Sequence, residues 1–132
     1  MEKQQIEALA KQHEQLRTGF QHNMESFARI CKDSFLGFQC EGEGIPLVGF
    51  GEAIHFAARF IIHDGKGYGL LSAYSANDSP AFYEIYYRGD IPVFIRDLGQ
   101  QTVNFYGNQL MDMEKLLTEI IGEFLNQDCF KP

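Results

Sequence analysis

The sequence predicts one α+β domain: a long N-terminal helix, an antiparallel meander of five or six strands, and a C-terminal helix, with both helices on one face of the sheet. Three observations carry this expectation. Apolar residues follow a three-four spacing up to about residue 36, alternate between residues 38 and 106, and return to helical spacing from residue 109. Glycine-rich turn signals punctuate the alternating stretch at short intervals. The chain has 132 residues, 45% of them hydrophobic and 14% aromatic, which suffices for a single core but not for two.

Residues 1–36 form the first element. Ile6, Leu9, Leu16, Phe20, Phe27 and Ile30 make its stripe, with Met24 and Cys31 alongside. No proline interrupts the stripe, and Gly37 is placed to end it. About 34 residues at 1.5 Å per residue make a rod of roughly 50 Å. A globule of this size is only about 36 Å across. The helix must therefore break near Gly19 or overhang its own domain. An overhanging amphipathic helix needs a second chain to cover it, so a homodimer is expected, through this helix, the mixed face of the sheet, or both.

Residues 38–106 supply the strands. Phe38–Cys40 and Ile45–Phe50 are expected to form a short hairpin across Glu41-Gly42-Glu43-Gly44. Ile54–His63 and Tyr68–Ala76 meet at Asp64-Gly65-Lys66-Gly67. After a loop at Asn77–Pro80, Ala81–Arg88 and Ile91–Asp97 meet at Gly89-Asp90, and Thr102–Tyr106 is the last strand. Asn108 is then placed to cap a helix over 109–127. Its stripe is Leu110, Met113, Leu117, Ile120, Ile121, Phe124 and Leu125.

Turns fix registers, and registers sort side chains by face. With His63 opposite Tyr68 and Arg88 opposite Ile91, one face collects Ile54, Phe56, Ala58, Phe60, Ile62, Leu71, Ala73, Tyr83, Ile85, Tyr87, Phe94, Val103 and Phe105, along with Arg96. That face belongs under the helices. The other face mixes polar and aromatic groups with Ile61, Leu70, Val93 and Ile95. It is the candidate functional surface, and the residues expected to line it are His55, Arg59, Tyr74, Glu84, Tyr86, Asn104 and Tyr106. A sheet that merely carries exposed tyrosines is the plainer alternative.

Charge narrows the partners. Residues 1–35 carry five bases and five acids, whereas the remaining 97 carry six bases and thirteen acids and hold the whole net charge of −7. Phosphate backbones need a concentrated positive field, so nucleic acid is not expected. A basic partner protein or a cationic ligand suits the field better, and a solvated acidic surface that aids solubility is the plainer alternative. No apolar run reaches membrane-spanning length, and the first residues lack a signal-peptide profile. Cys31, Cys40 and Cys129 are odd in number with no close pair, which favours a reducing cytoplasm.

Catalytic signals are weak. His13, His22, His55 and His63 have no metal-ligand spacing, and no cofactor is expected. His55 and His63 share a strand face but lie eight residues apart, roughly 27 Å at strand rise. Gly65-Lys66-Gly67-Tyr68-Gly69 leads into a strand, not a helix, so it reads as a turn and not a phosphate cradle. Arg88-Gly89-Asp90 likewise reads as a hairpin. Cys40 with His55 as base has nothing to lower the thiol pKa, and Ser72 lacks an elbow motif. Glu84 is the one candidate general acid or base, set against the simpler role of an ion pair with Arg59 or Arg88. The expectation is a small acidic cytoplasmic binding protein that acts as a homodimer and docks a basic partner. A small-molecule sensor using the mixed face is the alternative, and an enzyme built on Glu84 comes third.

Overall fold

The computed structural model describes residues 1–40, 47–75 and 80–132. In chain order the elements are α1 (Lys3–Ser34), β1 (Phe38–Cys40), β2 (Leu47–Gly49), β3 (Glu52–His63), β4 (Lys66–Tyr74), β5 (Tyr83–Tyr87), β6 (Val93–Ile95), β7 (Phe105–Tyr106), α2 (Leu110–Leu125) and a 3₁₀ turn at Asp128–Phe130. The strands form one sheet in sequential order, every neighbouring pair antiparallel. Among the described residues there are seven strands where five or six were expected, because the short first hairpin joins the same sheet as two strands. The expected turn at Glu41–Gly44 and most of the Asn77–Pro80 loop lie outside the described residues.

Helix α1 runs unbroken through Gly19. Its first turn is closed by the Glu2 backbone N–H donating to Gln5 Oε1 at 2.8 Å. It ends where the Phe35 N–H donates to the Cys31 carbonyl and Gly37 takes φ +93°. Ile6 is 55% exposed and Leu9 is buried, so the helix overhangs its sheet by about two turns and no more. Helix α2 starts at Leu110, one residue later than expected, and Gln109 stands at its cap in place of Asn108. The Asp112 carboxylate instead accepts the Tyr106 N–H at 2.8 Å and so ties the helix start to β7. Leu110 is exposed, and Leu116 takes its place in the buried stripe.

Both helices bury their apolar sides in one core. Leu16, Met24, Phe27 and Ile30 of α1 and Met113, Leu117, Ile120 and Phe124 of α2 pack with Ile54, Leu71, Ala73, Ile85, Tyr87, Phe94 and Phe105 of the sheet. The first half of α1 crosses the sheet at β4 and β5, where Gln12 Oε1 accepts the Gly67 N–H at 2.6 Å and Tyr87 OH donates to the Leu16 carbonyl at 3.1 Å. Burial pushes the Tyr87 phenol pKa up to about 12. The helix comes this close because of two glycines. A Cβ on Gly69 would sit 2.3 Å from the Tyr87 ring, and one on Gly89 would sit 2.8 Å from the α1 backbone at Gln15 and Leu16. On α2, Glu119 accepts from Tyr83 OH at 2.8 Å and pairs with Arg96, whose guanidinium lies over the Phe105 ring. Desolvation and the Glu119 carboxylate both raise the Tyr83 pKa.

Both expected registers are off by two residues. His63 pairs with Lys66 and Arg59 with Leu70, because Asp64 and Gly65, at φ 49° and 73°, complete a two-residue turn by themselves. Tyr86 pairs with Ile95 instead of Val93, because residues 89–92 form a longer loop. Within it the Asp90 carboxylate is held by the Arg88 guanidinium and the Ile91 N–H. A shift of two preserves the alternation, so the face assignment survives both errors.

Candidate functional site

The mixed face is built in rows across the strands. Arg59, Leu70, Tyr86 and Ile95 form one row, Ala57, Ser72 and Glu84 the next, and His55 and Tyr74 the third. Five of the seven expected residues, His55, Arg59, Tyr74, Glu84 and Tyr86, thus occupy three adjacent rows. Tyr106 pairs with Val93 toward the far edge of the sheet. Asn104 does different work: its Oδ1 accepts the Arg96 N–H at 2.7 Å, replacing a backbone acceptor where β6 and β7 part.

Much of the apolar character of this face has an internal cause. The 96–103 loop folds back over it, and Leu98 packs with Tyr68, Val93 and Ile95 into a second small core, flanked by Ile61, Tyr86 and Val103. Tyr68 is 2% exposed, and its OH donates to Gln101 Oε1 at 3.3 Å. Val103 was expected under the helices and lies here instead. The last strand is only Phe105–Tyr106, so alternation does not extend back to Val103. Two rows remain open beside this cluster, carrying His55, Ala57, Tyr74 and Glu84, with exposed Arg59 next to them.

Glu84 is exposed and accepts from Ser72 Oγ at 3.4 Å. Among the described residues neither ion pair expected for it, with Arg59 or with Arg88, is formed, and Arg88 holds Asp90 instead. His63 Nε2 lies 3.5 Å from Asp64 Oδ2, a contact local to the turn. Among the described residues, no group of three His, Cys, Asp or Glu side chains is placed to hold a metal ion. Nor is any helix long and apolar enough to cross a membrane.

Two features escaped the sequence reading. Clefts flank α1 on the opposite side of the sheet: one of about 500 Å³ lies between Glu14–Asn23 and the β5–β6 loop, and one of about 270 Å³ lies between His13, Arg17, Phe20 and the β3 residues Phe56–Phe60. The second feature is an unpaired strand edge. β2 meets β3 only at Glu52–Ile54, so among the described residues nothing pairs with the outer side of Ala57–His63. Ala57, Ala58 and Arg59 are exposed there, and Ile62 is 51% exposed. The two open rows reach β3 at His55 and Ala57, beside exposed Arg59. The twelve-residue length of β3 against three residues of β2 is the signal that could have revealed it. Comparison with protein-family models, with curated proteins and with solved structures gives no match for this chain.

Proposed function

We propose that this chain is a homodimeric interaction protein that holds a basic partner protein on the open rows of the mixed face. The observation that carries the reading is the band of His55, Ala57, Arg59, Tyr74 and Glu84, bordered by Tyr86, which is left uncovered beside a face otherwise sealed by the 96–103 loop. The larger cleft lies on the opposite side of the sheet and the smaller one meets the band only at Ala57 and Arg59, which favours a protein over a small molecule. Tyr86 is half-buried against Ile95 and the second core, so its ring is held in place as an anchor. Beyond residue 35 the acids outnumber the bases thirteen to six, which sets the expected charge of the partner.

Affinity capture with the intact chain, followed by mass spectrometry of proteins and small molecules, tests the reading. A stoichiometric basic protein that is lost with both Tyr86→Ala and Glu84→Lys is expected. A co-purified metabolite, or a partner indifferent to both substitutions, would replace this reading with the sensor or with another surface.

A further inference from the structure

We infer that the cleft between α1 and β6 is a binding site for a small neutral molecule that carries an amide or lactam edge on an apolar body. The cleft has a volume of about 500 Å³, within the usual range for small-molecule sites. It lies across the sheet from the band proposed for the protein partner. Its floor is apolar, since Tyr87, Val93 and Phe94 are all buried. One polar side chain is set into the wall above them. Asn23 is 7% exposed, and among the described residues its amide makes no hydrogen bond. Neither amide atom is sealed in the interior, so the group opens onto the cleft that it lines. A buried amide costs stability unless something pairs with it.

Position 19 leads to the same cleft. Glycine inside a helix is less stable than alanine, yet α1 runs unbroken through Gly19. Nothing in the packing demands it. A Cβ there would meet only Tyr87 Cε2, at an ordinary contact distance of 3.7 Å, whereas Gly69 and Gly89 have no such room. What Gly19 does provide is space on the cleft wall, one helical turn before Asn23. Two residues on one side of α1 thus lower the stability of the helix, and both line the same cleft.

The chemistry of the wall selects the ligand. An asparagine amide presents an acceptor beside its donor N–H groups, which matches the adjacent donor and acceptor of an amide or lactam. Charge is not what this wall recognises: Glu14 pairs with Arg17 at 3.4 Å, and Arg88 holds Asp90. Thr18 donates its hydroxyl to the Glu14 carbonyl at 3.3 Å, which leaves Asn23 as the buried polar contact.

Benzamide is the probe, and toluene, which has the ring without the amide, is the control. Each is titrated into the isotope-labelled intact chain and followed by two-dimensional NMR. Benzamide should shift the Asn23 side-chain amide and the backbone of Gly19 and Val93 saturably, at the roughly millimolar affinity of so small a fragment. Toluene should bind at least about tenfold more weakly. Asn23→Leu should weaken benzamide binding at least about tenfold and leave the melting temperature unchanged or higher, because a better helix former replaces an unpaired amide. Gly19→Ala should raise the melting temperature by about 2–5 °C and weaken binding severalfold. Stability gained together with binding lost is a combination that a purely structural role would not produce. Benzamide that shifts none of these resonances overturns the inference and leaves the cleft to water. Shifts confined to the mixed face, at Ala57 and Tyr74, overturn it too. So does equal binding by Asn23→Leu, or a lower melting temperature for that variant, since the amide would then serve the fold.

Discussion

Gly69→Ala is expected to destabilise the fold by about 1–3 kcal/mol, and most of that cost should vanish when Tyr87 is also alanine. The two residues are register partners, and a Cβ on Gly69 would lie 2.3 Å from Cε1 and 2.4 Å from Cζ of Tyr87. The ring has nowhere to go. It is 2% exposed, and its hydroxyl is fixed on the Leu16 carbonyl at 3.1 Å. Tyr87→Ala alone removes a buried aromatic and should cost about 3–5 kcal/mol. In the double variant the new methyl group enters the vacated space, so the two costs should fall short of their sum by about 1–2 kcal/mol. The chain has no tryptophan, so urea unfolding of the four proteins is best followed by far-ultraviolet circular dichroism, at one fixed protein concentration. Costs that add within about 0.5 kcal/mol would refute the argument that the glycine exists to seat the ring.

Tyr87→Phe should cost only about 1 kcal/mol at neutral pH, the net value of one hydrogen bond. Burial raises the Tyr87 pKa from 10.0 to about 12, so the stabilisation is complete below pH 10 and fades as pH rises toward 12. Wild-type stability, measured by urea titration at stepped pH, should therefore fall more steeply over that interval than the stability of Tyr87→Phe. Gly89→Ala should lower stability by about 1–3 kcal/mol, because its Cβ meets helix backbone at 2.8 Å and not a movable side chain. At Gly65 nothing lies within 4 Å, and only the φ of 73° opposes a side chain, so Gly65→Ala should cost about 1 kcal/mol. Thermal melts of the two variants that reversed this order would count against close helix–strand approach at Gly89.

The element order and both sheet faces were legible because each depends only on periodicity. Parity is robust: Arg59 was matched with Ser72 in place of Leu70, yet every side chain in that hairpin kept its side. Exact register depends on turn chemistry, and Asp64-Gly65 can close a hairpin with or without Lys66 and Gly67. The meaning of the mixed face was harder to read. Val93, Ile95 and Tyr68 looked like an apolar binding surface because Leu98, which covers them, sits in a loop with no period of its own. Asn104 was assigned to the candidate site by alternation, whereas its amide acts as a local backbone substitute. The free edge of β3 shows only when its length is set against that of the strand beside it. Pairing is a property of neighbours, and nothing in a strand's own residues records how short the adjacent strand is.

The sequential order of the sheet bears on how the chain comes to fold. Every strand pairs with the next one along, so the sheet closes through short loops and carries little topological delay. Helix α1 is the exception: its ties run 55 residues ahead to Gly67 and 71 residues ahead to Tyr87. The helix is made before the strands that seat its first half. Phe27 meets Phe56 as soon as β3 exists, but Leu16 waits for Tyr87 of β5, and until then the nascent chain presents the first half of this helix face to the cell.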